Sequence, residues 1–194
     1  MDSIAIEPDP KSPFPDPTVI VTSHNSAGKA TVRSSTVEAS KPYSGMRVSH
    51  SLLYTTSEFP PDLNSEKGIK LHEEVKTAGR LNIVNPNGTV IRIVNFAPHN
   101  KSMMHRTQSL DYGVVLEGEI IMELDDGSKT LMRKGDIAVQ RATMHTWKNA
   151  SETEWARMLF VLQDCKPLLV GGQRLQEDLG HVGYDIFPSS RNDD

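Results

Sequence analysis

The central part of the chain alternates apolar and polar positions with a period of two. The alternation runs from about residue 81 to residue 163, in segments of roughly five to nine residues that end at turn-forming residues. Short strands without intervening helical patterns are typical of a β-sandwich or barrel. The pattern predicts a turn at 86–88 and strands at 81–84, at 89–96 and in the stretches DYGVVLEG, EIIMELDDG, TLMRKGDIAVQ, HTWKN and ARMLFVLQ.

Two different patterns precede this region. Residues 18–54 contain the short extended pieces TVIVTS, KATVRSS and SLLYTT, separated by turn-forming residues, and they predict a first hairpin. Residues 57–78 are polar and are interrupted by Pro60-Pro61 and Gly68, which leaves room for one short helix at 69–76. This polar segment is a candidate lid over a site in the barrel.

Both ends of the chain have the composition of disordered segments. Residues 1–17 hold five of the 12 prolines, spaced among Asp and Ser, so we expect a disordered arm that buries little surface. Residues 188–194, PSSRNDD, predict a flexible tail. Between them, residues 18–187 are expected to form one domain with its barrel at about 82–162 and a second short helix at 172–179.

Composition excludes several classes of protein. The 194 residues are 37% hydrophobic, which is sufficient for one sizeable core, and carry a formal net charge of −4. A mildly acidic chain without a Lys/Arg cluster is a poor partner for nucleic acid. The single Cys165 cannot form an internal disulfide. Since the chain lacks a secretion signal and any apolar stretch near the roughly 18 residues of a membrane span, we expect a cytoplasmic protein that binds no membrane.

Residues suited to catalysis concentrate in two segments of the strand region. In the first, HRTQSLDYG, side chains alternate between faces, so His105, Thr107 and Asp111 share one face of an extended segment. In the second, HTWKN, the same rule places His145 and Trp147 on one face. If the two segments are neighbouring strands, these side chains converge on the interior of the barrel.

The two segments resemble the two motifs of the cupin superfamily, G-x5-H-x-H-x3,4-E-x6-G and G-x5-P-x-G-x2-H-x3-N. Four residues stand at the two histidines, the glutamate and the last glycine of the first motif: His105, Thr107, Asp111 and Gly118. Three residues match the second motif, in which Arg141 and Thr143 replace Pro and Gly: Gly135, His145 and Asn149. The form His-Arg-Thr-x-Ser-x-Asp-Tyr is similar to that of small cupins common in fungi. The resemblance implies an all-β fold, a single-domain cupin with a double-stranded β-helix (jelly-roll) barrel and one or two short helices.

The departure at Thr107 raises the question of a metal ion. Cupins typically hold Mn, Fe, Ni or Zn through three histidines and one glutamate, and Thr107 replaces one of those histidines. The resemblance therefore implies a reduced ligand set of His105, Asp111 and His145 for one divalent Fe, Mn or Zn ion. In the metal-free alternative, the same three residues are the catalytic acid and base groups of an apolar pocket. The sequence leaves both alternatives open.

A substrate pocket is expected around these three residues, lined by Arg92, Phe96, Thr107, Tyr112, Gln140 and Trp147. Arg92 is suited to hold a carboxylate or an enolate. We predict acid/base or Lewis-acid chemistry on a small carbonyl-rich metabolite, and the resemblance implies a polyketide-like compound of secondary metabolism. The reaction would be that of a lyase or isomerase: dehydration, decarboxylation, isomerisation or cyclisation.

Two other functions fit the same residues. One is an Fe(II)-dependent dioxygenase that uses the reduced 2-His-1-carboxylate site. The other is a non-catalytic cupin that binds a small ligand. The resemblance also implies a homodimer. Outside the site, we expect His72 on the solvated face of a helix and Arg106 in a surface salt bridge.

Overall fold

The computed structural model describes residues 9–78, 82–180 and 187. Strands dominate this part of the chain, and one α-helix lies between the fourth and fifth strands. The elements follow in this order: β1 (Thr18–His24), β2 (Ala30–Val37), β3 (Lys41–Tyr43), β4 (Val48–Thr56), α1 (Lys67–Ala78), β5 (Thr89–Phe96), β6 (Ser109–Glu117), β7 (Glu119–Leu124), β8 (Lys129–Arg133), β9 (Ile137–Arg141), β10 (His145–Asn149), β11 (Ala156–Asp164), β12 (Leu168–Val170) and β13 (Gln173–Leu175).

Two antiparallel sheets form the body of the molecule. The larger sheet has the strand order β3-β4-β5-β11-β6-β9, and the smaller sheet has the order β10-β7-β8. Trp147 of the smaller sheet packs against Phe160 of the larger one, with ring centroids 5.4 Å apart, so that the two inner faces share one core. Antiparallel sheets that pack in this way, with neighbours that are distant in sequence, are characteristic of a jelly roll. The prediction of an all-β jelly-roll fold with a short helix is confirmed.

The period-two pattern determines which side chains reach the core. In β9, Ala138 and Gln140 are buried, whereas Ile137 and Val139 are more than half exposed. The predicted hairpin in residues 18–54 is the antiparallel pair β1 and β2. These agreements follow from the alternation of side chains across an extended chain.

Two predicted elements are wrong. Residues 83–84 form a bend instead of a strand, and the pairing with β4 and β11 begins only at Thr89. The helix expected at 172–179 is absent, because Gly171 and Gly172 both have positive φ angles and form the tight turn of the β12–β13 hairpin. A pair of glycines with left-handed backbones favours a two-residue hairpin turn over the first turn of a helix.

The predicted helix at 69–76 is α1, but its buried face differs from the expectation. His72 was expected in solvent, yet it is 4% exposed and lies against β4. Its Nδ1 accepts a hydrogen bond of 3.2 Å from the Thr55 backbone N–H, and its ring lies 4.5 Å from that of Tyr54. The imidazole therefore fastens the helix to the larger sheet. No helix within the described residues is long and apolar enough to cross a membrane.

Residues 9–17 also differ from the expected disordered arm. The Asp9 carboxylate accepts hydrogen bonds of 2.7 and 3.0 Å from two backbone N–H groups of the turn after β3. The Arg157 guanidinium, which belongs to β11, lies 4.7 Å above the ring of Phe14 and donates to the carbonyl of Pro15 at 2.9 Å. Residues 9–17 are thus fastened across the barrel at two points. The predicted tail at 188–194 lies outside the described residues, as do residues 1–8 of the arm.

Candidate active site

A cavity of about 120 Å³ lies between the two sheets, and we call it the inner cavity. Most of its wall consists of apolar side chains from β4, β5, β10 and β11, among them Phe96, Trp147 and Phe160. Its ionisable lining residues are Tyr43, Arg92, Lys101, His105, Asp111 and His145. The structure therefore brings the three predicted catalytic residues to one cavity, which is a mainly apolar space with a few converging polar groups.

The two histidines are held in the same way. The backbones of His105 and His145 exchange reciprocal hydrogen bonds of 2.9 Å. Nδ1 of His105 lies 2.9 Å from the carbonyl oxygen of Met103, and Nδ1 of His145 lies 2.9 Å from that of Thr143. Because a carbonyl only accepts, Nδ1 of each ring carries the proton. Nε2 of each neutral ring is then an acceptor for a molecule in the cavity.

Burial keeps both rings uncharged. Loss of hydration, with a smaller contribution from the neighbouring His105, lowers the pKa of His145 to about 3. Burial likewise lowers the pKa of His105, with a smaller contribution from the positive charge of Arg92. Two neutral imidazoles, with ring centroids 4.5 Å apart, therefore face the cavity at neutral pH.

Asp111 points into the same cavity from β6, and burial raises its pKa whereas it lowers those of the two histidines. Its Oδ2 accepts a hydrogen bond of 3.4 Å from the hydroxyl of Thr107, which in turn accepts one of 2.7 Å from Ser109. Its Oδ1 is buried and has no hydrogen-bond partner among the described residues. Burial raises the pKa of Asp111 to about 6, against the opposing effects of the Ser109 and Thr107 hydroxyls and of Arg92. This carboxyl group titrates close to physiological pH.

Arg92 of β5 places a positive charge beside the cavity. Its side chain is 5% exposed and donates hydrogen bonds to the Tyr43 hydroxyl and to the carbonyl oxygens of Asn82 and Ile83. Its Nε is buried without a partner, and it forms no ion pair within the described residues. A buried guanidinium that lacks a carboxylate partner favours an anionic group in the cavity.

The reduced set of metal ligands does not fit a metal ion. Nowhere in residues 9–78, 82–180 and 187 do three His, Cys, Asp or Glu side chains come close enough to share a metal. Thr107, which replaces a ligand of the family motif, bonds to Asp111 and is 1% exposed. The three predicted residues share a cavity but do not form a coordination site.

The other predicted pocket residues divide into two groups. Arg92, Phe96 and Trp147 line the inner cavity, whereas Thr107 and Gln140 are buried but do not line it. The prediction for Tyr112 is wrong, because it follows Asp111 in β6 and alternation turns it to the outer face, where it is 39% exposed.

Arg106 also differs from the sequence expectation. Its Nε donates a hydrogen bond of 2.8 Å to the carbonyl oxygen of Gln176, and it forms no salt bridge with any residue that the structure describes. The guanidinium therefore fastens the segment after β13 to the start of the first motif. It lies outside the lining of the inner cavity.

Sequence reasoning missed two residues that shape the inner cavity. Tyr43 comes from β3, far from either motif, and reaches the cavity through its hydrogen bond with Arg92. Asn100 joins the loop after β5 to β10, because it accepts from the Asn149 N–H at 2.9 Å and donates to the Trp147 carbonyl at 3.2 Å. The sequence carries no signal for Tyr43, whereas the Asn149 position of the second motif indicates that a polar partner is needed nearby.

Comparisons with known proteins agree with this fold. The Cupin domain family model matches residues 92–162. "Oryzines biosynthesis cluster protein J" of Aspergillus oryzae is 36% identical over 176 residues, which cover 90% of this chain and 98% of that protein. "Phomopsin biosynthesis cluster protein C'" of Diaporthe leptostromiformis is 38% identical over 175 residues, which cover 89% of this chain and 92% of that protein. "Cupin-domain-containing oxidoreductase srdB" of Neurospora crassa is 34% identical over 168 residues, which cover 86% and 83% of the two chains. The chain belongs to the cupin family.

Proposed function

We propose that this cupin is an enzyme of secondary metabolism that transfers protons on a small anionic carbonyl compound, as a lyase or an isomerase does. The observation that carries the proposal is Asp111, a buried carboxyl group with an unpartnered oxygen and a pKa of about 6, in one apolar cavity with two neutral histidines. A group whose pKa lies near the working pH both accepts and donates protons efficiently. The names of the oryzine and phomopsin cluster relatives support a role in secondary metabolism.

Arg92 would bind the anionic end of the substrate. Its guanidinium is already fixed by Tyr43 and two backbone carbonyls, so little side-chain entropy is lost on binding. Because its Nε has no partner and it forms no ion pair within the described residues, Arg92 can bind a carboxylate or a developing enolate.

Asp111 would carry out the proton transfer. In its ionised form, Oδ1 accepts a proton from the carbon next to the substrate carbonyl. The electron pair of that C–H bond forms a carbon–carbon double bond, and the carbonyl becomes an enolate oxygen that Arg92 stabilises. Where a carbon–carbon double bond is conjugated with the enolate, the carbonyl reforms, the double bond shifts and neutral Asp111 returns the proton to the far carbon, which is an isomerisation. Where the next carbon carries a hydroxyl, the carbonyl reforms, a new carbon–carbon double bond replaces the breaking C–O bond, and Asp111 protonates the hydroxyl, which departs as water.

His105 and His145 would orient the substrate as acceptors. Both rings donate their Nδ1 protons to backbone carbonyls, so each Nε2 accepts a hydrogen bond from a substrate hydroxyl or enol. The pKa of His145, about 3 because of burial, makes it a weak base in the empty cavity. In this proposal the general base is therefore Asp111, and neither histidine takes that role.

Hydrogen–deuterium exchange tests the proposal. The protein is incubated under argon, in deuterium oxide, with a panel of α-oxo and β-oxo acids, and loss of the C–H signal is followed by proton NMR. We expect exchange with the wild type and a loss of about 100-fold or more in Asp111→Asn. Asp126→Asn, in the exposed turn after β7, is the matched control and should exchange like the wild type. Unchanged exchange in Asp111→Asn would remove Asp111 from the mechanism.

An oxidoreductase is the second candidate, because four relatives carry that name. Besides the Neurospora crassa protein, "Cupin-domain-containing oxidoreductase fogC" of Aspergillus ruber is 36% identical over 168 residues. The same panel under air, followed with an oxygen electrode, separates the candidates. Consumption of oxygen in proportion to product supports the oxidoreductase, and equal turnover under argon supports the lyase or isomerase. Tight binding with neither outcome supports a ligand-binding cupin.

A further inference from the structure

A second cavity, which we call the outer cavity, lies next to the inner one and has a volume of about 500 Å³. Tyr43 and Phe187 line both cavities, so their rings are the partition between them. The two rings meet edge to face, with centroids 5.0 Å apart. The proposed reaction uses only the inner cavity and leaves the larger space without a role.

The two cavities differ in the size of the ligand that each can hold. Sites for drug-sized ligands measure roughly 300 to 1,000 Å³, and the inner cavity, at about 120 Å³, lies below that range. The outer cavity, at about 500 Å³, lies within it. A substrate with more than a few carbon atoms would therefore have to extend from the inner into the outer cavity.

The walls of the outer cavity are partly apolar and partly charged. Apolar side chains from β2, β3, β4 and α1 line it: Val37, Pro42, Leu52 and Val75. Glu38, Lys41 and Lys76 also line it, and Glu38 and Lys76 form an ion pair of 2.6 Å. His50 of β4 is a polar group in this wall, and its ring stacks on Tyr43 with centroids 4.1 Å apart. The ring is held by the backbone of Lys41, while its Nδ1 is buried without a partner among the described residues.

The unpartnered Nδ1 of His50 indicates what the ligand carries. Burial, together with the charges of Arg92 and Lys41, lowers the pKa of His50 to about 3, so the ring is neutral. Its proton lies on the nitrogen that faces the Lys41 backbone, because a neutral imidazole has one donor and one acceptor. Nδ1 is then a buried, unsatisfied acceptor, and a ligand hydroxyl that reached it after the stacked Tyr43 ring moved aside would satisfy it.

We propose that the outer cavity is a second substrate subsite, which binds the hydroxyl-bearing alkyl chain of an oxo acid whose head group occupies the inner cavity. The proposal rests on the proposed function, since Arg92 and Asp111 bind the head group there. Tyr43 belongs to the three-residue edge strand β3, which pairs only with β4, so its ring moves aside at lower cost than a ring in the middle of a sheet. A displaced Tyr43 gives up its hydrogen bond with Arg92, and the carbonyl oxygens of Asn82 and Ile83 then hold the guanidinium in place. The chain of the acid passes between Tyr43 and Phe187.

A chain-length series tests the subsite. Dissociation constants of the unbranched α-oxo acids from pyruvate to α-oxodecanoate are measured by titration calorimetry with the full-length protein. We expect each CH₂ beyond the inner cavity to tighten binding by about fourfold, which is the value of burying one methylene. Long acids that bind no more tightly than pyruvate would overturn the proposal.

Filling the outer cavity provides the decisive variants. We expect Leu52→Trp in β4 and Val75→Trp in α1 each to abolish the gain with chain length and to leave pyruvate binding unchanged. Val139→Trp, the same change on the exposed face of β9, is the matched control and should keep the gain. A gain that persists in both filled variants would show that the chain binds elsewhere. Two filling variants on different elements guard against a single folding failure.

His50→Phe tests the hydroxyl contact separately. The phenyl ring keeps the stacking on Tyr43 but lacks the acceptor. For the wild type we expect a chain-hydroxylated α-oxodecanoate to bind about fivefold to tenfold more tightly than the parent acid, and His50→Phe to remove that difference. No difference in the wild type would overturn this part of the proposal.

The two proposals fail in distinguishable ways. Proton exchange on short oxo acids that depends on Asp111, without any gain from chain length, would contradict only the outer subsite. A gain that is lost in the filled variants, without proton exchange, would contradict only the lyase or isomerase chemistry. Absence of binding by every acid of the series would contradict both.

Discussion

The backbones of His105 and His145 exchange two hydrogen bonds of 2.9 Å, which hold the two imidazole rings 4.5 Å apart. Each ring also meets a carbonyl oxygen two residues earlier in the chain, that of Met103 or of Thr143. The same local arrangement therefore occurs twice, once in each motif. Because the rings are neighbours in an apolar cavity, a positive charge on either one raises the cost of a charge on the other.

The first prediction is that acid destabilises the protein through His145. The unfolded side chain takes up a proton near its ordinary pKa of 6.5, but the folded one does so only at about 3. Between these values the unfolded state binds more protons, so the free energy of unfolding falls as pH falls. We expect His145→Gln to reduce this dependence by on the order of 1 kcal/mol per pH unit, measured by urea unfolding from about pH 7 to pH 4.

His24→Gln is the control for this experiment. His24 lies at the exposed end of β1, so its replacement should leave the pH dependence unchanged. Equal slopes for His145→Gln and the wild type would mean that the folded protein protonates His145 readily. The neutral-imidazole description of the inner cavity would then be wrong.

Much of the site could be predicted from the sequence because two local rules determine it. Alternation along an extended chain places His105 and Asp111 on one face, and the motif spacing places His145 on a neighbouring segment. The same rule excludes Tyr112 from the pocket, because it directly follows Asp111 and therefore lies on the other face of the strand. The contribution of Arg92 to the pKa of Asp111 could not be predicted, because Arg92 lies two strands away from Asp111 in the sheet.

Long-range contacts account for the features that sequence reasoning missed. Tyr43 reaches the inner cavity because β3 pairs with β4, a pairing that no local pattern of the three-residue strand specifies. Residues 9–17 are rich in proline and polar residues, yet they are fastened by Arg157, which is distant in sequence. His72 has a polar neighbourhood in sequence, but the position of α1 over β4 buries it. Only the folded chain brings these partners together.

The second prediction concerns Gly118, the last glycine of the first motif. Gly118 and Gly127 have similar backbones, with φ angles of +73° and +83°, but only Gly118 is crowded. A Cβ at Gly118 would lie 2.8 Å from the Trp155 carbonyl oxygen and 3.0 Å from Ala156 Cα, whereas Gly127 has open space. We expect Gly118→Ala to lower the free energy of unfolding by about 2 kcal/mol more than Gly127→Ala does.

The comparison separates backbone strain from packing. Both substitutions cost about 1 to 2 kcal/mol because an L side chain disfavours a left-handed backbone. The difference between them therefore measures the contact with the loop before β11. Equal losses of stability in thermal or urea unfolding would show that this loop moves away at little cost.

The third prediction is that residues 9–17 stabilise the barrel. Phe14→Ala removes the ring beneath the Arg157 guanidinium, and we expect a loss of about 1 kcal/mol in the free energy of unfolding. Lys11→Ala, at an exposed position of the same segment, should have almost no effect. Deletion of residues 1–17 removes the Asp9 and Pro15 contacts as well, so its effect should be larger than that of Phe14→Ala. An unchanged melting temperature after this deletion would favour the disordered arm that the sequence predicts.

The last prediction is that Asp111 lowers the stability of the protein that it serves. Its pKa is raised by burial from 3.8 to about 6, so between these values the folded state binds more protons than the unfolded state. The free energy of unfolding therefore falls as pH rises through this range, and the full loss is present above it.

Asp111→Asn keeps the shape of the side chain and removes its charge, so we expect the free energy of unfolding to rise by about 2 to 3 kcal/mol near pH 8 and hardly at all near pH 3.5. Asp126→Asn, in an exposed turn, should show no such gain, because hydrogen bonds from Ser128 lower the pKa of Asp126 and any dependence would have the opposite sign. If Asp111→Asn were instead less stable near pH 8, the ionised carboxylate would be needed to balance the buried Arg92, and Arg92 would have no spare charge for a substrate. A gain in stability together with a loss of proton exchange is the outcome expected of a group retained for catalysis.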